Sequence, residues 1–197
     1  MIIESPSTSV RALYNHALVI TCSLIGMGFG RNKKQVDPNL KPEELARQAY
    51  AKAIMLLGPR EHTTTELRKK LGENGFQSDV IEATLERLIK QNYQSDERFA
   101  TLFAEQLHRK NRGPMSISAK LSSRGIEPSM ARKAIALLNA DWPEVAADAL
   151  RLRFSTAQLS ELDQAGMGKC ARFLKSRGFS STDSIKAIRL AVETVSE

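Results

Sequence analysis

The sequence predicts an all-α protein built as a tandem array of three three-helix repeats, elongated and curved. Three observations carry this reading. Leu, Ala, Ile, Lys, Arg and Glu dominate the chain, and these residues favour helix. From residue 42 onward apolar residues recur at three- and four-residue intervals, one apolar stripe per segment. A Leu-x-x-x-Gly-apolar string occurs three times, as Leu71 to Gly75-Phe76, Leu121 to Gly125-Ile126 and Leu174 to Gly178-Phe179. A glycine at that point ends a helix in the left-handed conformation, and the apolar residue after it folds back on the last turn. The match extends to Leu85, Ile135 and Ile188, ten residues past each glycine, and to Leu67, Ile117 and Cys170, four before each leucine. Units this short cannot bury their own faces, so neighbours share core.

The elements follow in order. Pro42 with Glu43 and Glu44 opens a helix, because Pro suits the first turn and acids suit the positive end. Gly58-Pro59 stops it after Leu57. Thr63 with Glu66 has the spacing of a capping box for a helix that ends at Gly75. A third helix follows Ser78, with Val80, Ile81, Leu85, Leu88 and Ile89 on one face and Tyr93 just past its end. Asp96 is placed to cap the next helix, whose stripe is Phe99, Leu102, Phe103 and Leu107. Arg98 stands in the first turn, where a cation is disfavoured by the dipole, so it calls for a carboxylate partner in Asp96 or the first repeat. Linkers fall near 94–96 and 141–144, dividing the chain into repeats at 42–94, 95–142 and 143–197.

Residues 1–41 form a separate N-terminal extension, expected to be flexible or a mis-assigned start with Met27 as the alternative initiator. The uncharged run 17–30 is too short to span a bilayer, and no membrane association is expected.

No active site is legible. His16, His62 and His108 have no Cys or carboxylate at ligand spacing, and Cys22 and Cys170 form no paired motif, so neither zinc nor a disulfide framework is expected. Gly26, Gly28 and Gly30 lack the spacing and preceding strand of a dinucleotide loop. The sequence therefore argues against an enzyme and for no cofactor. With 29 Lys and Arg against 22 Asp and Glu, a net charge of +7 favours polyanions or acidic protein surfaces. Arg109, Lys110 and Arg112 cluster before Gly113-Pro114. Lys120 and Arg124, then Arg132 and Lys133, and later Arg172 and Lys175, accompany the helices around the glycine caps. These nine are the candidate contact residues.

The string Arg60, Glu66-Leu67, Lys70-Leu71, Gly75, Ile81, Leu85, Leu88, Tyr93, Asp96-Glu97-Arg98-Phe99-Ala100, Arg112-Gly113, Ile117, Leu121, Gly125-Ile126 resembles the RecX family of recombination regulators over roughly residues 50–140. The resemblance implies three tandem three-helix repeats, no enzymatic activity, and binding in the groove of the RecA–DNA filament that slows ATP hydrolysis, strand exchange and co-protease action in DNA repair and the SOS response. It also implies contact with single- or double-stranded DNA, weak and without sequence preference. Gly75, Tyr93, Asp96, Arg98, Phe99, Gly113, Gly125 and Gly178 are its structural positions. Two unpaired cysteines suit a reducing cytoplasm, and a monomer is expected. The third copy departs from the pattern, with Cys170 in place of a larger aliphatic residue and Ala191 where Leu88 and Leu138 stand. The alternative function is a DNA-binding protein using a helix-turn-helix-like repeat.

Overall fold

The structure, a computed structural model, describes residues 40–193. The N-terminal extension through residue 39, with His16, Cys22, Met27 and the apolar run, lies outside the described residues. These hold ten α-helices and no strand: α1 (Pro42–Leu57), α2 (Thr64–Gly72), α3 (Ser78–Lys90), α4 (Asp96–His108), α5 (Pro114–Ser122), α6 (Pro128–Ala136), α7 (Trp142–Arg151), α8 (Thr156–Ser160), α9 (Gln164–Arg177) and α10 (Ser181–Glu193). The chain divides into two compact units. One runs to Gln94, and the other takes Thr63–Thr65 together with Ser95 onward.

In the first unit, Pro42, Glu43 and Glu44 open α1 as their chemistry dictates. Ala49, Ala53 and Leu57 of α1 meet Leu67 and Leu71 of α2, and Phe76, Ile81, Leu85 and Leu88 complete the core. Tyr50 and Tyr93 pack at its edge, and the Arg87 guanidinium lies 4.2 Å over the Tyr50 ring. Asn92, with φ of 57°, turns the chain so that the Tyr93 amide donates to the Leu88 carbonyl at 2.9 Å.

The second unit holds two cores. Phe99, Ala100, Ala104, Leu107, Ile117, Leu121, Ile126, Ala131 and Ala134 form one. The other joins Ala146, Ala147, Ala149 and Leu150 of α7 to Leu159, Cys170, Leu174, Phe179, Ala187 and Ala191. Here small residues face one another across α7 and α10, so the two helix backbones approach closely. Phe154 and Phe173, edge to face at 5.8 Å, pack beside this alanine seam. The third copy also carries α8, a single turn with a full capping box between Ser155 and Gln158.

All three sequence-marked glycines are left-handed, with φ of 91° at Gly75, 82° at Gly125 and 89° at Gly178. In each, the amide of the following apolar residue reaches back to the carbonyl of the repeat leucine: Phe76 to Leu71, Ile126 to Leu121 and Phe179 to Leu174, at 3.1 to 3.3 Å. This is the six-to-one bond of a Schellman cap. The helix after each cap is less uniform than its sequence. Leu85 is buried, but Ile135 and Ile188 are only half-buried. The positions six and nine past the glycine are buried in every copy: Ile81 and Thr84, Ala131 and Ala134, Ser184 and Ala187.

Asp96 does not cap its own helix. Ser95 does, its Oγ accepting from the Arg98 amide at 3.2 Å. Asp96 is the first residue of α4, and its carboxylate accepts from the Thr64 amide at 2.9 Å and the Thr64 hydroxyl at 2.5 Å. It thus satisfies an orphan donor at the start of α2.

Two outcomes are expected from this packing. At Gly113, whose φ is an ordinary −75°, an added Cβ would lie 2.4 Å from the Gly178 carbonyl oxygen. Gly113→Ala should cost about 1–3 kcal/mol in urea unfolding through overpacking alone. Gly178→Ala should cost more, since about 1–2 kcal/mol of left-handed strain adds to a 2.3 Å approach to the Ser116 amide. Gly72→Ala, whose Cβ would meet only Ile81 Cδ1 at 4.0 Å, should be neutral or stabilising by up to about 1 kcal/mol. The second outcome concerns His62, which is buried. Burial first, and then the Arg60 charge, hold its pKa below the usual histidine value. The unfolded chain therefore takes up the proton first. The stability His62 contributes should be complete above about pH 6.5 and should fade as pH falls through the lower folded value. Unfolding free energy should be smaller at acid pH, with a flatter pH slope in His62→Gln.

Candidate functional site

The end of α4 brings the first basic cluster into the open. After His108 the chain turns through Arg109, Lys110, Asn111 and Arg112, with Asn111 at φ of 50°, before Gly113 and Pro114 start α5. Two cations distant in sequence join them. Arg177 ends α9 and Arg153 follows the end of α7, and with Arg109 and Lys110 they line a cavity of about 160 Å³ whose remaining walls are Asn111, Ala149 and Leu152.

The place is held by backbone as much as by side chains. The Arg177 Nη1 donates to the Lys110 carbonyl at 3.0 Å. The Gly113 amide donates to the Arg177 carbonyl at 3.0 Å and the Met115 amide to the Gly178 carbonyl at 3.1 Å. The Arg177 guanidinium also lies 5.0 Å from the Phe173 ring centroid. Burial, and then the neighbouring Arg112 charge, lower its pKa from the ordinary arginine value. A counter-charge here is weak: Glu105 stands 3.8 Å from Arg109, whose side chain is 79% exposed.

The other nominated cations do not converge here. Lys133 is paired with Glu97. Arg124 lays its guanidinium 5.2 Å over the Phe103 ring, while its carbonyl accepts from the Thr63 hydroxyl at 2.8 Å. Arg132 borders an open groove between α5 and α6, beside Met115, Ile135 and Trp142. Lys120, Arg172 and Lys175 are exposed. Arg153 and Arg177 are not among the nine candidates read from the sequence. A signal for Arg177 was present in the repeat: it directly precedes the third left-handed glycine, as Arg124 precedes the second. The carbonyl at that position receives a hydrogen bond both times, from the Thr63 hydroxyl and from the Gly113 amide. Among the described residues no three His, Cys, Asp or Glu gather as a metal site, and no helix is long and apolar enough to cross a membrane.

Fold and cluster together define a tandem three-helix-repeat protein with a cationic junction. The first three-helix domain of RecX matches residues 49–88, and the second matches residues 95–135. A regulatory protein RecX of Xanthomonas axonopodis pv. citri is 33% identical over 142 residues, covering 72% of this chain and 86% of the relative. That of Syntrophotalea carbinolica is 37% identical over 137 residues, 68% of this chain and 89% of the relative. The crystal structure of RecX from Lactobacillus salivarius superposes with a TM-score of 0.66 at 22% identity, covering 76% of this chain and 97% of that one. The chain belongs to the RecX family of regulatory proteins.

The like-charge pair gives a direct expectation. Arg112→Gln should stabilise the fold by a few tenths of a kcal/mol at low salt, on the order of an exposed ion pair with its sign reversed. The gain should shrink at high ionic strength as screening removes the repulsion. Chemical unfolding of both proteins at two salt concentrations measures it.

Proposed function

We propose that the chain binds the RecA–DNA filament and lowers RecA's ATPase, strand-exchange and co-protease activities, acting through contact and catalysing nothing itself. It works as a cytoplasmic monomer. Family membership supports the partner. The observation that carries the mode is the convergence of Arg109 and Lys110 with Arg153 and Arg177 around one cavity, with the Arg112 charge acting on Arg177. Arginine forks suit both filament carboxylates and phosphates. Contacts spread along a helical array gain affinity without a deep pocket. Lys120, Arg124, Arg132, Arg172 and Lys175 supply further contacts, whereas Lys133 first has to leave Glu97.

The test is the single-strand-dependent ATPase of RecA. Equimolar protein should inhibit it. Changing Arg109, Lys110 and Arg112 together to Glu should weaken inhibition by at least about tenfold, since a charge-assisted bond contributes about 1.5–3 kcal/mol. No inhibition at large excess overturns the reading. DNA binding without RecA should be weak, indifferent to sequence and steeply lost with salt. Tight, sequence-selective binding at physiological salt would favour the helix-turn-helix alternative instead.

A further inference from the structure

We propose that the cavity where the ends of α4, α7 and α9 meet is an oligophosphate site, taking a short phosphate chain that is free or carried by a nucleotide. The inference goes beyond the RecA reading and needs no filament.

Four cations line the cavity and no acidic residue does. Arg112 adds a fifth charge close enough to act on Arg177. Helix C-termini do favour nearby cations, which is the simplest reason for basic residues there. Yet each such end carries only about half a negative charge. Three ends and Glu105 leave the positive excess largely unanswered. Oligophosphate, with several negative charges in a small volume, matches such an excess in a small cavity.

Geometry agrees with charge. A volume of about 160 Å³ is roughly ten times what one water needs. That leaves room for one or two tetrahedral phosphates, with the base and sugar of a nucleotide outside along exposed Leu152. The Arg177 fork is already oriented by the Lys110 carbonyl and the Phe173 ring, so little side-chain freedom remains to be lost on binding. A bound anion between Arg112 and Arg177 would turn their repulsion into shared attraction. Ligand binding should therefore stiffen the junction between the second and third copies of the repeat.

The experiment is calorimetric titration of the full chain with sodium pyrophosphate at fixed ionic strength, with thermal unfolding in parallel. Pyrophosphate should bind at least about tenfold more tightly than sulfate and raise the unfolding temperature. Arg153→Gln and Arg177→Gln should each weaken binding by about tenfold, one charge-assisted contact apiece. Lys90→Gln, paired with Glu86 in the first unit, should leave it unchanged. Arg153 is exposed, so its variant keeps the fold even if Arg177→Gln does not, and circular dichroism checks both. ADP or ATP binding more tightly than pyrophosphate identifies a nucleotide as the source. Equal affinity identifies free oligophosphate. Pyrophosphate binding no better than sulfate, or binding untouched by Arg153→Gln, overturns the site. So does a short single-stranded DNA that depends on these arginines while pyrophosphate does not bind. RecA is absent throughout, so failure here leaves the ATPase assay to judge the filament reading separately.

Discussion

A left-handed glycine closes the helix before the last in each copy, and most of the architecture follows from it. With φ near 90° at Gly75, Gly125 and Gly178, the next amide turns back onto the leucine carbonyl five residues earlier. That places Phe76, Ile126 or Phe179 against the core. No side chain with a Cβ adopts this conformation without strain. Around Gly125 and Gly178 the space is also taken, by Thr65 and by Ser116. The turn thus ends a helix and leads into the next, and in the second and third copies it presents a carbonyl that another segment binds.

That carbonyl links fold to charge. In the second unit the Arg177 carbonyl receives the Gly113 amide, while the Arg177 side chain reaches the Lys110 carbonyl. One residue therefore joins the end of α9 to the turn between α4 and α5. Because three helices end here, cations are tolerated and even favoured. Their number exceeds what the helix ends offset. What holds the second and third copies together also orders the Arg177 side chain.

The third copy solves the same packing problem with smaller parts. Cys170 and Ala191 are both buried, and burial pushes the Cys170 thiol pKa up, so this cysteine is a small hydrophobe rather than a reactive group. Alanines of α7 and α10 let the helices close the space that larger aliphatic residues fill in the first copy.

Much of this was determined by sequence alone, because local chemistry decides it. Pro42 with Glu43 and Glu44 starts a helix, and a Leu-x-x-x-Gly string ends one, whatever surrounds them. The all-α class, the helix ends and the cluster of Arg109, Lys110 and Arg112 were legible for that reason. Tertiary structure decided the rest, because the partners lie far apart in the chain. Asp96 has the spacing of a cap for its own helix, yet its carboxylate serves Thr64, 32 residues earlier. Ile135 has the spacing of a core residue, yet small neighbours at Ala131 and Ala134 take the buried positions. Arg153 and Arg177 look like solvated helix charges until the ends of α4, α7 and α9 are brought together. The repeat marks Arg177 before its glycine, but a charge cluster assembled from three helix ends has no single period, so nothing along the chain joins Arg153 to it.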